Sequence, residues 1–397
     1  MDQAGLAPGA KSSVQTAPRP TSRLFFLDHL RAALVILVVL HHLAVIYGAV
    51  APFYYAEPPL NDALAFLILL VFVLSNQAWF MGALFLISGY FTPGSFDRKG
   101  SSSFLKNRLI RLGIPLIVFI FILSPISSIG YWQMPSSLTG ITAPLTWAMY
   151  PNLLGMGPMW FVALLLVFDF GYAAWRWLTR NRTSSSGSES SPPTYLGLGA
   201  FILILALLSY LIRMIIPMGK YVLDFPTLAY LPQYLSFFVL GTVAYRRNWF
   251  RTLPGSMGVV GFVTVVAATV LLFPLALSGR LFSLDLTAPG GFMGNGTWQS
   301  AVYTLWDSIF AVGLSLAAIT FFRRFFNKES KFGTFLSQQS YAVYLIHTPI
   351  IVFVTIALIG IDLRPLLKFG LAAVMALPIC FALAYLIRKI PGVSRVL

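Results

Sequence analysis

Three of the chain's four histidines fall in one apolar stretch, FLDHLRAALVILVVLHHLAVIYG, residues 26–48. Histidine is the side chain whose charge changes near neutral pH, at about 6.5 in water, so it suits general acid–base work. His42 lies eleven residues after Arg31, which at about 100° per residue brings it within about 20° of the same direction. Asp28 is about 60° from Arg31, so Asp28, Arg31 and His42 share a face, while His41 points about 80° away. The rise from Arg31 to His42 is about 16 Å. A polar stripe is therefore expected from the mouth of this helix to its interior. Asp28 and Arg31 taken alone also fit ordinary interfacial charges. A histidine at depth is either neutral and bonded to a neighbouring helix or a functional group facing a cavity. The cost of an ionisable group in lipid favours the second reading for His42; packing is the better reading for His41. The fourth histidine, His347, sits in SQQSYAVYLIHTPIIV (337–352). Ser340 and Tyr344 precede it by seven and three residues and share its face. Its depth matches that of His42, so the two histidines are expected to line one site.

Other chemistries find no template. HExxH is absent, and adjacent His41 and His42 do not hold one zinc together as an i,i+4 pair does, so no metal site is expected. There is no GxSxG elbow, Walker A loop or GxGxxG fingerprint. The single cysteine, Cys380, lies in an apolar run and offers neither an internal disulfide nor a catalytic thiol. Asn295 opens an NGT sequon and Asn181 an NRT sequon, which matter only on the luminal side of a secretory pathway.

The elements that must position these residues are transmembrane. The chain's 397 residues are 58% hydrophobic and 10% charged, against about one-quarter charged in soluble domains. Runs of about 20 apolar residues mark spans; ten occur, near 32–51, 62–91, 112–130, 159–178, 195–216, 226–245, 256–278, 301–322, 339–360 and 366–387. Each is expected to be helical, because lipid offers a bare amide no partner. The net charge of +15 would suggest nucleic acid in a soluble protein. Here no nucleic-acid partner is expected. With the N-terminus inside, all but Arg213, Lys220, Arg280, Arg364 and Lys368 of the 27 basic residues fall in cytoplasmic connections and tails. The fold class is thus all-α: a polytopic bundle of about ten helices, both termini cytoplasmic. Residues 1–22 read as a disordered polar tail without the pattern of a secretory signal, so the first span is expected to be retained. One membrane domain is expected over 23–390, with a flexible linker at 179–195 and a short tail at 391–397. The outer loops 131–158 and 279–300 carry Trp132, Trp147 and Trp298, suited to an interfacial belt or a lid.

Set in order along the chain, these stretches resemble acyltransferase family three, polytopic membrane proteins that O-acylate glycans, lipids and small molecules. LDHLRAALVILVVLHH (27–42) resembles the family's opening helix, a basic residue, ten residues and a histidine: here Arg31 and His42. FLISGYF (85–91) is similar to its SGYF element, with Ser88. RLIRLGIP (108–115) resembles its RxxR motif, giving Arg108 and Arg111. MWFVALLL (159–166) is similar to its Trp-Phe helix, with Trp160, and SYAVYLIHTPI (340–350) to its late helix ending in histidine. YLPQYLSFFVLGTVAYRRNWF (230–250) resembles the branch that includes glucan succinyltransferases.

The resemblance implies a plasma-membrane enzyme, the inner membrane in a bacterium, that takes an acetyl or succinyl group from cytosolic acyl-CoA. No tightly bound cofactor is implied. The acceptor is a hydroxyl of a glycan, lipid or small molecule. Arg108 and Arg111 would meet the CoA phosphates at the cytoplasmic mouth, where guanidinium groups fork onto phosphate. His42 would act as general base, or form an acyl-histidine. Asp28 would orient Arg31; His347, Tyr344 or Ser88 would orient the acceptor or donate to the developing oxyanion. Asp307 would pair with Arg213 or bind the acceptor, the structural ion pair being the favoured reading. The competing class is a proton-coupled transporter or exporter, which also uses midplane histidines and moves its substrate without releasing CoA.

Overall fold

The computed structural model describes residues 23–58, 62–179, 191–278 and 291–397; the polar tail at 1–22, residues 180–190 of the linker and the Asn181 sequon lie outside them. Among the described residues the chain is helical with no strand, and ten helical segments are long and apolar enough to cross a membrane. The helices are α1 (Phe25–Gly48), α2 (Ala63–Gln77), α3 (Phe80–Lys99), α4 (Trp160–Leu178), α5 (Tyr195–Ile215), α6 (Leu231–Arg246), α7 (Gly255–Ala276), α8 (Trp298–Phe325), α9 (Lys331–Ala357) and α10 (Pro365–Lys389). A segmented span, Ser101–Gln133, lies between α3 and α4, and α2 with α3 forms a single span, Ala63–Lys99.

The first helix starts seven residues before the apolar run read from sequence, at Phe25 rather than 32. The polar residues Asp28, His29 and Arg31 thus belong to its opening turns. Asp28 accepts from Arg23 at 2.8 Å and pairs with Arg31 at 3.3 Å, and its charge suits the positive N-terminal end of the helix. α1 is central: it packs on α2, α3, α8, α9 and α10. α7 packs against α8, and α3 against α6. At both of these crossings glycine sets the approach. A Cβ at Gly89 of α3 would collide with the Phe238 backbone, and one at Gly241 of α6 with the Leu86 carbonyl. A Cβ at Gly261 or Gly313 would lie 2.7 Å from the other's carbonyl oxygen. Helices in lipid gain by such close van der Waals contact, since apolar side chains alone prefer a neighbour no more than they prefer lipid.

The second span breaks at Ala78, whose carbonyl accepts from the Gln233 amide at 2.5 Å. The segmented span alternates α-turns with π-turns at Leu109–Gly113 and Phe119–Leu123. Pro115 has no N–H to return to the Arg111 carbonyl, and the Tyr341 hydroxyl supplies a donor at 2.7 Å. Pro125 likewise cannot serve the Phe121 carbonyl, which takes the Tyr150 hydroxyl at 2.6 Å. Tyrosine thus replaces the donors that proline removes, as backbone in lipid requires.

The two ends of the bundle differ. One gathers Arg31, Arg98, Lys99, Arg111, Arg176, Arg246 and Arg323: Arg246 pairs with Asp97 at 2.8 Å, Arg176 meets the same carboxylate at 3.5 Å, and His29 Nδ1 donates to the Phe326 carbonyl at 2.7 Å. The opposite end carries Lys368–Glu57 at 2.5 Å. Deep near that end, Arg213 and Asp307 form a buried ion pair, with the Tyr230 ring 4.4 Å from the guanidinium carbon.

Candidate active site

His42 and His347 meet inside the bundle because α1 and α9 pack side by side. Their ring centroids are 5.0 Å apart. His42 Nδ1 lies 2.8 Å from the Val38 carbonyl, and His347 Nδ1 lies 2.7 Å from the Tyr344 carbonyl. A carbonyl oxygen only accepts, so each Nδ1 carries the proton and each neutral ring keeps its lone pair on Nε2. His347 Nε2 then receives a second, weaker branch of the His42 Nδ1–H, at 3.3 Å. His42 Nε2 takes no hydrogen-bond partner among the described residues, and the ring borders a cavity of about 730 Å³. The chain thus presents a bare imidazole nitrogen to an open space, its tautomer set by backbone.

The cavity opens away from the basic end. His41 and His42 form its floor, Trp160 and Tyr344 stand in its wall, and Tyr54, Tyr221 and Asp224 come from the loops of the opposite end. Trp160 stacks on Tyr234 at 5.3 Å, and Tyr234 in turn accepts from Gln77 at 3.0 Å. The Ser124 hydroxyl donates to the Leu153 carbonyl at 2.9 Å, so Tyr54 donates to Ser124 at 3.1 Å. Burial pushes the Tyr54 phenol well above its ordinary range, which keeps it a donor.

Several residues singled out from sequence sit differently from expectation. The stripe on α1 is polar at its ends only: Val35 and Val38, buried, occupy the same face between Arg31 and His42. Arg108 is held by partners inside the bundle. Its Nε lies 3.0 Å from the fully buried Asp169 carboxylate and its Nη2 donates to Thr92 at 3.2 Å, while Thr92 donates to Asp169 at 3.1 Å. Desolvation explains this: a carboxylate inside the bundle holds the nearest guanidinium. Arg111, three residues on, is exposed and has no ion pair among the described residues. Its charge acts on Arg31 and on Lys99, so Arg31, Arg111 and Lys99 form one basic cluster, in which Arg31 is paired with Asp28.

The Tyr344 hydroxyl donates to the Pro158 carbonyl and so pins the cavity wall rather than facing a ligand. Ser340 donates to the Leu336 carbonyl at 2.8 Å, and neither it nor Ser88 borders the cavity. Ser340 is buried in the bundle and Ser88 is half-buried, placements that spacing along one helix does not reveal. His347 stands behind His42 rather than in the lining. His41 does border the cavity, edge-on to His42 at 5.4 Å and 4.9 Å from Phe80, with a buried Nδ1 that has no partner among the described residues. Asp224, Tyr54 and Asp169 were not legible as site residues; they belong to no spaced motif, and only Asp169's place within an apolar helix hinted at a buried partner.

The family model described as an acyltransferase domain matches residues 24–385. The chain is 24% identical over 359 residues to Glucans biosynthesis protein C of Escherichia coli strain K12, covering 85% of this chain and 84% of that protein. The same identity and coverage hold for Glucans biosynthesis protein C of Shigella dysenteriae serotype 1. No solved structure matches.

Proposed function

The chain belongs to this family of membrane acyltransferases, and we propose that it moves an acyl group, acetyl or succinyl, from acyl-CoA at the basic end to a hydroxyl of a glycan in the opposite cavity. The basic end is then cytoplasmic, and the membrane is the bacterial inner membrane. The glycan acceptor rests on the relatives that carry the name Glucans biosynthesis protein C. The observation that carries the reading is the bare His42 Nε2 in the cavity floor, about 16 Å along α1 from Arg31.

The CoA phosphates lie against Arg111, Lys99 and the Asp28-aligned Arg31, anionic groups against a basic cluster. The thioester end of the donor reaches inward from that mouth, bringing its carbonyl to His42. The acceptor hydroxyl gives its proton to His42 Nε2 as its oxygen attacks the carbonyl carbon. The C–S bond breaks, and the imidazolium returns that proton to the leaving thiolate, so ester and free CoA form with no net proton change. During this cycle Nδ1 keeps its proton and donates it to the Val38 carbonyl, with His347 Nε2 beside it, holding the ring in place. Asp28 aligns Arg31 at the entrance. A base of this kind contributes about 10²–10⁴-fold.

The test uses inverted vesicles from cells that make the acceptor, supplied with labelled acetyl-CoA or succinyl-CoA. Free CoA and labelled acceptor are followed in wild type, His42→Ala and His41→Phe. Transfer lost in His42→Ala, with a far smaller loss in His41→Phe, supports the reading. Equal labelling in wild type and folded His42→Ala overturns it. A solute accumulated in a His42-dependent way without CoA release would make the protein a proton-coupled exporter instead.

A further inference from the structure

The cavity's outer half has a chemistry of its own. From His42 outward its rings follow one another: Phe53 at 4.9 Å, Tyr54 at 5.3 Å from Phe53, and Tyr131 at 6.0 Å from Tyr54. Beyond them stands a tight turn, Val222–Phe225, closed by N–H···O bonds of 3.1 and 2.9 Å. Its two central residues, Leu223 and Asp224, have φ of 51° and 64°. That left-handed conformation is costly for residues other than glycine and is kept where surrounding contacts enforce it. Here the contact is the Asp224 carboxylate, whose Oδ2 accepts the Met156 N–H at 2.6 Å. Oδ1 takes no partner among the described residues.

Asp224 is the one carboxylate among the described residues lining the cavity, which include no Lys or Arg. Lys220 is exposed on the same loop and is not in the lining. The basic end thus offers cations, and the cavity's outer half a single carboxylate among aromatic rings. Such rings match the C–H faces of a sugar, and a carboxylate accepts from paired hydroxyls. An anionic acceptor would bring like charge to Asp224 in a partly water-excluded space.

We infer that this outer half is the acceptor subsite and that it selects neutral sugars against anionic acceptors, with Asp224 as the selecting group and Tyr54, Tyr131 and Tyr221 as the stacking wall. The inference rests on the glycan-acyltransferase reading and narrows its substrate class.

The full chain in lipid nanodiscs, without any acyl donor, is titrated by saturation-transfer NMR with cellotriose and with the same trisaccharide oxidised to its terminal uronic acid. Wild type is expected to bind the neutral sugar at least tenfold more tightly. Asp224→Asn, whose side-chain oxygen still accepts from Met156 and so keeps the turn, is expected to lose that preference. Asp224→Lys is expected to reverse it. Equal binding of the two sugars by wild type, binding of neither, or an unchanged preference in Asp224→Asn would overturn the inference. No donor is present, so a protein that shows this preference yet releases no CoA would sink the transferase reading alone. One that transfers acyl groups without the preference would sink the subsite alone.

Discussion

Replacing His347 by leucine separates the base from the residue behind it. In wild type the His42 Nδ1–H has two acceptors, the Val38 carbonyl at 2.8 Å and His347 Nε2 at 3.3 Å. His42 becomes cationic as it takes the acceptor's proton, so both contacts strengthen in the transition state. A hydrogen bond to a charged group contributes about 1.5–3 kcal/mol. At 3.3 Å the His347 contact lies just outside the favoured 2.7–3.2 Å window for nitrogen donors, which places it at the lower end, about 1.5 kcal/mol, or roughly tenfold in kcat. The Val38 carbonyl survives the substitution, so the tautomer does too. His42→Ala, by contrast, removes the base and is expected to cost about 10²–10⁴-fold. The assay is CoA release at saturating donor in inverted vesicles, corrected for folded protein by thermal unfolding in detergent. That correction matters because the Tyr344 carbonyl loses its His347 partner at 2.7 Å. His347→Gln, which retains an acceptor, should recover part of the loss. A His347→Leu defect as deep as that of His42→Ala would refute the assignment and make His347 the base. A change under twofold would show that the contact plays no part in the reaction.

Asp169→Ala strands Arg108 beside a site where its partner was fully buried; the melting temperature should fall by an amount corresponding to about 3 kcal/mol, with partial recovery in the Asp169→Leu/Arg108→Met double variant. Gly89→Ala puts a methyl into the Phe238 backbone, so α3 and α6 must part; a loss of about 3 kcal/mol or more, read as a sharp fall in folded protein in detergent, is expected. Arg111→Gln should raise the donor's KM about tenfold while leaving kcat near wild type, the loss of about one charge-assisted contact; an unchanged KM would remove Arg111 from the donor site. Tyr341→Phe leaves the Arg111 carbonyl without its hydroxyl donor and is expected to lower stability by about 1–3 kcal/mol in a melting measurement.

The number and class of the elements were decided by composition and hydropathy along the chain, because a backbone in lipid has few solutions: spans must be helices, and their length is set by the bilayer. The histidines were legible for the same reason, since an ionisable group in an apolar run is costly and stands out. So was the gathering of basic residues at one end of the bundle. Spacing on one helix placed Arg31 and His42 on a common face, but it could not say what fills that face between them; packing put Val35 and Val38 there. It also could not say that Arg108 is held by Asp169 from another helix while Arg111 stays free, or that the Tyr344 hydroxyl is bonded to Pro158. Those outcomes depend on which buried polar group finds which partner, and partners here come from segments far apart in the chain. The same holds for the cavity. His42 announces itself in the sequence, but Tyr54, Ser124 and Asp224 lie in loops with no periodicity, and only the closing of the bundle brings them over its ring. The sequence by itself determined a ten-helix membrane protein with a histidine at depth. The tertiary structure decided which nitrogen of that histidine is bare and what stands in front of it, because hydrogen bonds and cavities are properties of several chain segments at once.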